Sequence, residues 1–248
     1  YENMPASRRD KVHGSLGTIW RESLHNYLHA GESASPFNGL FHLEADGTPL
    51  IAPWIEKYGL DAWLTQLLTV TVNPIIHMLF AHGIGMESHA QNIVLIHKDG
   101  WPTRIALKDF HDGVRYSPEH LGFPELCPTL FDVPERHIKL NRNSYILTDD
   151  LNDVRDLSCD AFFFICLSEL CIFLNKAYQC EEDHFWSTAA QIVKTYQIDN
   201  PQQAVRFSQF DLFAETFVVG QFTKRRIFGD AEARTKQVNN PLYAFKLR

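Results

Sequence analysis

The sequence of 248 residues lacks several features that would place it at once in a class of protein. It has no stretch of 18 uncharged apolar residues, since its most apolar run, 161–174, contains Glu169, so no membrane-spanning helix is predicted. No basic, apolar leader opens the chain. The net charge of -7 argues against nucleic acid or an anionic membrane as the main partner. These absences predict a soluble, cytoplasmic protein.

Cysteine is scarce and shows no ligand pattern. Five cysteines occur without any C-x-x-C pair, and the odd count predicts a reducing compartment. An iron–sulfur cluster needs four suitably arranged cysteine ligands. The spacing of Cys159, Cys166, Cys171 and Cys180 within one helical block does not provide them. We therefore do not expect an iron–sulfur reductase.

The residues that are present predict an α+β fold, mostly helical with a small antiparallel sheet. Apolar residues recur at three- and four-residue spacing in six segments, which are predicted to be helical: 11–30, 53–58, 61–79, 151–179, 184–197 and 201–216. Pro74 predicts a kink or a join of two helices. Loops or irregular structure are predicted for the remaining segments, 33–49, 111–150 and 223–248. A short strand is allowed at 40–43.

A change of period in the middle of the chain predicts a β-hairpin. The runs 93–96 and 103–107 are β-type, and Asp99-Gly100 between them is a strong turn signal. We expect two parts: 1–150, which carries the hairpin and its neighbouring polar motif, and a helical part over 151–248.

Polar side chains are concentrated directly before the first of these strands. Glu87, His89, Gln91 and Asn92 lie there on a predicted loop, where functional residues are common. Asp109 follows the returning strand, so the hairpin should bring it back beside Asn92. Glu87, Asn92 and Asp109 offer the oxygen ligands that Mg²⁺ takes together with nucleotide phosphates. The spacing therefore predicts a magnesium–nucleotide site.

Alternatives to that site remain open. Glu87 precedes Asn92 by five positions and Asp109-Phe110 follows a hairpin, which parallels the protein kinases. However, no Gly-rich loop of the kinase type and no strand lysine precede the block. A kinase-like ATP-dependent phosphotransferase is one alternative, and a non-catalytic ligand-binding fragment is another. Taken singly, each of these residues could also serve only as a helix cap or in a solvated loop.

The same residues resemble the NRPS-independent siderophore synthetases, the aerobactin-synthetase-like family. The resemblance covers nearly the whole chain and rests on the following segments: His82-Gly83, 87–92, Gly100-Trp101-Pro102, 108–113, 20–23, 225–230 and 240–242. It implies siderophore biosynthesis for iron acquisition. Such an enzyme uses ATP and Mg²⁺ to adenylate a carboxylate of citrate, a citrate derivative or 2-oxoglutarate. An amine or hydroxyl then attacks, giving an amide or an ester.

The resemblance also implies an architecture. Family members resemble a hand with thumb, fingers and palm, and they are about twice as long as this chain. The chain, which begins at Tyr1, resembles the C-terminal half, a palm packed on a helical subdomain. The N-terminal half with fingers and thumb would lie outside it, so the isolated chain is expected to be inactive. The oligomeric state is open, with a homodimer as one alternative.

The roles of individual residues follow from the same resemblance. Glu87 and His89 would be catalytic. The Mg²⁺ would be bound by Glu87, Asn92 and Asp109. The nucleotide and its phosphates would be bound by Arg21, Gln91, Asn92 and Asp109. His89 would stabilise negative charge at the reacting carboxylate.

The residues that would bind the carboxylic acid substrate are indicated less specifically. His111, Lys224 and Arg226 are assigned to the substrate by their position in the motifs, with an ordinary basic surface cluster as the alternative. Relatives carry a lysine a few residues before the arginine-rich segment, where this sequence has Gly220. The identity of the acid and of the nucleophile is therefore left open.

Overall fold

The computed structural model describes residues 5, 7, 8, 11, 18, 20–110, 113–130, 134–140, 145–229 and 234–247. The α-helices and strands in these ranges are β1 Ser33–Pro36, α1 Ala52–Tyr58, α2 Leu60–His82, β2 Ile84–Met86, β3 Ile93–Lys98, β4 Trp101–Leu107, β5 Val114–Tyr116, α3 Glu135–Leu140, α4 Leu151–Ser158, α5 Ser168–Tyr178, α6 Glu182–Asp199, α7 Ala204–Gln209, β6 Thr216–Gly220, α8 Phe222–Phe228 and β7 Thr235–Asn239. Most are helical and the sheets are small and antiparallel, which confirms the predicted α+β class.

The central helix α2 lies between the sheet and the helices that follow residue 150, which form a second helical layer. The helix begins after Gly59, whose positive φ of 77° separates it from α1, as predicted. It ends where Gly83 takes a left-handed φ of 72°. It continues through Pro74 as one helix rather than as two joined helices, and the alternative expectation of a kink there stays a prediction. Its fully buried face, which includes Trp63 and Leu67, packs against β4 and α6.

The second helical layer contains a π-helical segment that the sequence did not predict. The segment Cys159–Leu167 joins α4 to α5 in one continuous helix, which confirms the helix predicted over 151–179. This helix and α2 are both long and apolar enough to cross a membrane, and 56% and 50% of their most apolar windows are buried inside the fold. One buried core contains residues from both sides of residue 150, and the division there stays a prediction.

The main sheet has the order β1-β3-β4 and contains the predicted hairpin. Asp99 and Gly100 both have positive φ, 50° and 86°, as a tight hairpin turn requires. The short strand that the sequence allowed at 40–43 does not form, and the segment 33–49, predicted to be a loop, contains a strand elsewhere. Instead Ser33–Pro36 pairs with β3, and the 3₁₀ turn Phe37–Phe41 buries Phe37 and Leu40.

Three further predictions of secondary structure are wrong. Over the described residues 20–30, the predicted helix is replaced by a short 3₁₀ turn, Leu24–Tyr27, and Trp20 is 92% exposed. The helix predicted over 201–216 ends at Gln209, and 223–248 contains α8 and β7 rather than irregular chain. Strand β7 is mostly exposed, so it has no apolar alternation from which it could be predicted.

Candidate functional site

The motif loop starts from a strand that is held against α4. Strand β2 pairs with β5, and the N–H of Met86 donates to Oγ of Ser158 at 3.0 Å. Gly85 lies so close to this helix that a Cβ would be 2.1 Å from the carbonyl oxygen of Val154. Only glycine permits that approach, and Glu87 follows two residues later. The packing therefore fixes where the loop begins.

Asn92 organises the loop from inside. Its side chain is buried, and Nδ2 donates to the carbonyl oxygen of Glu87 at 2.9 Å. Nδ2 also lies 3.4 Å from Nε2 of His89. Because an amide nitrogen can only donate, Nε2 accepts, and the proton of a neutral imidazole is on Nδ1. His89 is thus oriented with a donor left for a ligand.

The hairpin brings Asp109 back to this loop, as the sequence predicted. The N–H of Lys108 donates to the carbonyl oxygen of Asn92 at 3.1 Å. The N–H of Glu87 donates to the carbonyl oxygen of Gly113 at 2.8 Å, which closes the site from the other side. Asp109 has a φ of 70°, a left-handed conformation that is uncommon outside glycine and is concentrated at functional sites.

A cavity of about 400 Å³ lies at this junction and has cationic and amide groups in its wall. It is lined by Arg21, Asn38, Gln91, Asn92, Lys108 and Asp109. Four of these were predicted as nucleotide contacts, whereas Asn38 and Lys108 were not. Lys108 directly precedes Asp109 in the motif, and this position was a sequence signal for Lys108. Asn38 comes from a segment predicted only as a loop, and no sequence signal marked it.

Arg21 is brought to the cavity by a segment that an ion pair holds on the sheet. Nη2 of Arg104, on β4, lies 2.6 Å from Oε2 of Glu32 and also donates to the carbonyl oxygen of Tyr27 at 2.6 Å. The hydrogen bond from Arg104 lowers the pKa of Glu32 to about 2. The segment 20–32 is therefore fastened to β4, although it is not the predicted helix.

A larger cavity of about 550 Å³ adjoins the first, since Asn38 and Gln91 line both. Glu87 and His89 lie in its wall, as do two carboxylates that were not predicted, Asp160 and Glu169. A charged residue within an otherwise apolar helix was the available signal for each of them.

Asp160 has an unusual environment. Its Oδ2 accepts the N–H of Gly220 at 2.8 Å, whereas its Oδ1 is buried and has no hydrogen-bond partner among the described residues. Burial raises the pKa of Asp160 to about 6, and the nearby Glu87 adds to the rise. Arg225, on α8, acts in the opposite direction.

Of the three residues predicted for the carboxylic acid, the structure describes two. Lys224 and Arg226 are exposed on α8 and line neither of the two cavities. Phe222 of the same helix does line the larger cavity. His111 lies outside the described residues. The substrate roles of these three residues stay predictions.

The donors present suit a hard cation that shares its ligands with phosphate. Within the described ranges, no group of three or more His, Cys, Asp and Glu side chains is arranged to hold a metal by itself. Magnesium commonly takes one or two carboxylates, waters and nucleotide phosphates. The carboxylates of Glu87 and Asp109 and the amide of Asn92 are compatible with such a shared site.

Comparison with known proteins places the chain in a family. A family model described as "Ferric iron reductase FhuF-like transporter" matches residues 61–235. The chain is 48% identical to "2-[(L-alanin-3-ylcarbamoyl)methyl]-3-(2-aminoethylcarbamoyl)-2-hydroxypropanoate synthase" of Staphylococcus aureus, over 95% of this chain and 38% of that protein.

Two solved structures share its fold. The petrobactin biosynthesis protein AsbB of Bacillus anthracis matches with a TM-score of 0.85 and 38% identity, over 94% of this chain and 40% of that one. The aerobactin synthetase IucC of Klebsiella pneumoniae matches with a TM-score of 0.73 and 25% identity, over 91% and 39%. The chain thus spans about two fifths of the length of these proteins. It belongs to the FhuF-like family, in the region found in siderophore synthetases, and this confirms the resemblance read from its motifs.

Proposed function

We propose that the chain is the carboxyl-terminal part of a siderophore synthetase that joins a carboxylic acid to an amine or alcohol at the expense of ATP. One observation carries this proposal. The side chains of Arg21, Asn92 and Asp109 line one cavity, and it adjoins the cavity that contains Glu87 and His89. A site for a triphosphate and a site for acyl chemistry would then be neighbours.

The smaller cavity would hold the nucleotide. The guanidinium of Arg21 and the ammonium of Lys108 would bind phosphate oxygens, and Gln91 would contact the nucleotide or the acid where the cavities meet. Glu87, Asn92 and Asp109 would hold Mg²⁺, which when bound neutralises phosphate charge. Asp109 lies two residues past the end of β4 and has a φ of 70°.

His89 would act at the reacting carbon. Adenylation joins a substrate carboxylate to the α-phosphate, with pyrophosphate as the leaving group. Attack by an amine on the acyl-adenylate then develops negative charge on the acyl oxygen, and AMP leaves. The Nδ1–H of His89, available because Nε2 accepts from Asn92, would donate to that oxygen.

The relatives support the reaction class. The staphylococcal relative is named for a product with amide (carbamoyl) links, and both similar structures are siderophore biosynthesis proteins. We propose citrate or a related acid as the substrate and the cytoplasm as the location. Because the chain spans two fifths of these proteins, we expect residues outside 1–248 to complete the nucleotide site and the isolated chain to bind ATP weakly.

Other activities are less well supported. None of the relatives described above is named as a kinase. The family description mentions a ferric reductase, yet the thiols of Cys159 and Cys166 are buried in the core, and burial raises the pKa of both. Thiolates are the ligands of iron–sulfur clusters, so these cysteines are poorly suited to one.

The product of ATP turnover tests the proposal. The complete protein that contains this chain, given citrate or 2-oxoglutarate, should form AMP and pyrophosphate, and hydroxylamine as nucleophile should give a hydroxamate. Asp109→Ala should abolish acid-dependent turnover, whereas Asp199→Ala, at an exposed position on α6, should not. Formation of ADP without any hydroxamate would favour a kinase instead.

A further inference from the structure

The two adjoining cavities share two carboxamide side chains, those of Asn38 and Gln91. Both residues line the smaller cavity as well as the larger one. Among the described residues, neither carboxamide has a hydrogen-bond partner, whereas the neighbouring amide of Asn92 is used within the motif loop. A carboxamide carries two N–H donors and one carbonyl acceptor. Both side chains can therefore bind a ligand at the boundary between the two cavities.

The turn that carries Asn38 is placed against the motif loop by the sheet. Strand β1 ends at Pro36, which lies opposite Val94 on β3. The chain then enters the 3₁₀ turn Phe37–Phe41, which contacts the short turn Ala90–Asn92 of the motif. The pairing of β1 with β3 thus brings a segment from far earlier in the chain to the boundary of the cavities.

The core fixes the orientation of this turn. Phe37 and Leu40 are fully buried, and side chains three residues apart lie on the same side of a 3₁₀ helix. Asn38 follows Phe37 directly, so it lies on a different side of the turn, where it is half-buried. The ring of Phe41 packs against that of Phe37, with 6.1 Å between the centroids. Asn38 is therefore held in place without any hydrogen bond from its own side chain.

The boundary is where two negatively charged groups would have to meet. Arg21 and Lys108 line the smaller cavity, which would hold the triphosphate. No lysine or arginine is among the described residues that line the larger one. A substrate carboxylate there would be repelled by the α-phosphate that it has to reach. Neutral N–H donors between the two anions offset this repulsion, because a hydrogen bond to an ionised acceptor is strong.

We propose that Asn38 donates its two side-chain N–H groups at this boundary, one to the carboxylate that is activated and one to the α-phosphate of ATP. This assignment rests on the proposed synthetase function. Adenylation forms a bond between a carboxylate oxygen and the α-phosphorus, while the bond from that phosphorus to the leaving pyrophosphate breaks. Asn38 holds the two reacting groups next to each other for this step. It takes no part in the later attack by the amine or alcohol.

Acid-dependent exchange of labelled pyrophosphate into ATP tests this role, because it reports adenylation without the nucleophile. In the complete protein that contains this chain, Asn38→Ala should lower kcat for exchange about 10–100-fold, the scale for one hydrogen bond to a charged group. Asn38→Asp should lower it at least as much, because its carboxylate adds a third negative charge where two anions meet. Asn152→Ala and Asn152→Asp, matched changes at an exposed position on α4, should keep the wild-type rate.

Each outcome decides between explanations. Exchange at the wild-type rate in Asn38→Ala overturns the proposal. An effect confined to the KM for ATP also overturns it, since Asn38 would then contact the nucleotide alone. Normal exchange with slow amide formation would place Asn38 at the nucleophile and is equally contrary.

Folding and the parent activity are checked separately. Thermal unfolding shows whether Asn38→Ala folds. If it does not, the isosteric Asn38→Asp decides, and exchange at the wild-type rate in that variant overturns the proposal. A wild type without any acid-dependent exchange would instead overturn the synthetase function itself.

Discussion

The backbone N–H of Gly220 donates to Oδ2 of Asp160 at 2.8 Å, across 60 residues of sequence. One helical turn earlier, Oδ2 of Asp156 accepts the N–H of Val218 at 2.9 Å. The two aspartates are four residues apart on the helix, which is a rise of about 6 Å. Val218 and Gly220 are two residues apart on the strand, which spans about 6.6 Å. The spacing of the two carboxylates therefore matches the spacing of the two backbone N–H groups of β6. The pair docks β6 on the helix and sets where Asp160 lies in the cavity.

Asp160 makes stability depend on pH. Burial raises the pKa of Asp160 in the folded protein from 3.8 to about 6; Glu87 and Asp156 add to the rise, whereas the N–H of Gly220 and the charge of Arg225 oppose it. The folded state keeps a proton that the unfolded state releases, so the stabilisation is present below pH 3.8 and is lost as the pH rises through about 6. Asp160→Asn should therefore raise the free energy of unfolding by about 1–2 kcal/mol near neutral pH, after allowance for solvent screening.

Urea denaturation of the wild type and the Asn variant at several pH values measures this effect. The two curves should converge at acid pH, and Asp199→Asn should follow the wild type throughout. Equal stabilities of Asp160→Asn and wild type at neutral pH would show that the carboxylate is not held in an unfavourable environment.

His89 should act on rate rather than on substrate binding. It lies in the wall of the larger cavity, and its Nδ1–H is the donor proposed for the acyl oxygen. His89→Ala should lower kcat for amide formation about 10²–10³-fold, the scale for one oxyanion donor, with little change in the KM for ATP. Steady-state kinetics of the complete protein measure both. A loss confined to the KM for ATP would place the imidazole at the nucleotide instead. His184→Ala, a change at a half-exposed position on α6, is the control.

Gly85 should be intolerant of any side chain. A Cβ there would be 2.1 Å from the carbonyl oxygen of Val154, whereas one at Gly39 would meet nothing within 4 Å. Gly85→Ala should lower the free energy of unfolding by about 1–3 kcal/mol, as overpacking does, and should displace Glu87. Gly39→Ala should have little effect. Thermal unfolding of the two variants compares them directly, and equal melting temperatures would argue against this close approach.

The ion pair between Arg104 and Glu32 should position Arg21 for ATP. Its removal frees the segment 20–32, so Arg104→Gln should raise the KM for ATP about tenfold with little change in kcat. Arg136→Gln, at an exposed position on α3, should leave both constants unchanged. A fall in kcat with an unchanged KM would rule out this positioning role.

The same pair should be sensitive to acid. Because the hydrogen bond from Arg104 lowers the pKa of Glu32 from 4.5 to about 2, its stabilisation is present above pH 4.5 and is lost as the pH falls towards 2. The difference in stability between wild type and Arg104→Gln should therefore shrink over that range.

The sequence by itself determined the structural elements that depend on residues close together in the chain. The Asp99-Gly100 turn, the break at Gly59 and the return of Asp109 to Asn92 all follow from local backbone preferences and a short hairpin. For this reason the motif residues Asn92 and Asp109 could be predicted to meet. The helices over 151–178 and 182–199 were also predictable, because their apolar residues recur with the helical period.

Only the tertiary structure decided what distant segments bring to the site. Arg21 reaches the cavity because Arg104 holds its segment on β4. Over the described residues 20–30, the amphipathic helix predicted for 11–30 is therefore replaced by a short turn and an ion pair. Asp160 has an apolar sequence context that marks it as buried, yet its unpaired oxygen depends on the docking of Gly220. Contacts between residues far apart in the chain leave no periodic trace in the sequence, so the charge of the larger cavity became visible only in the folded protein.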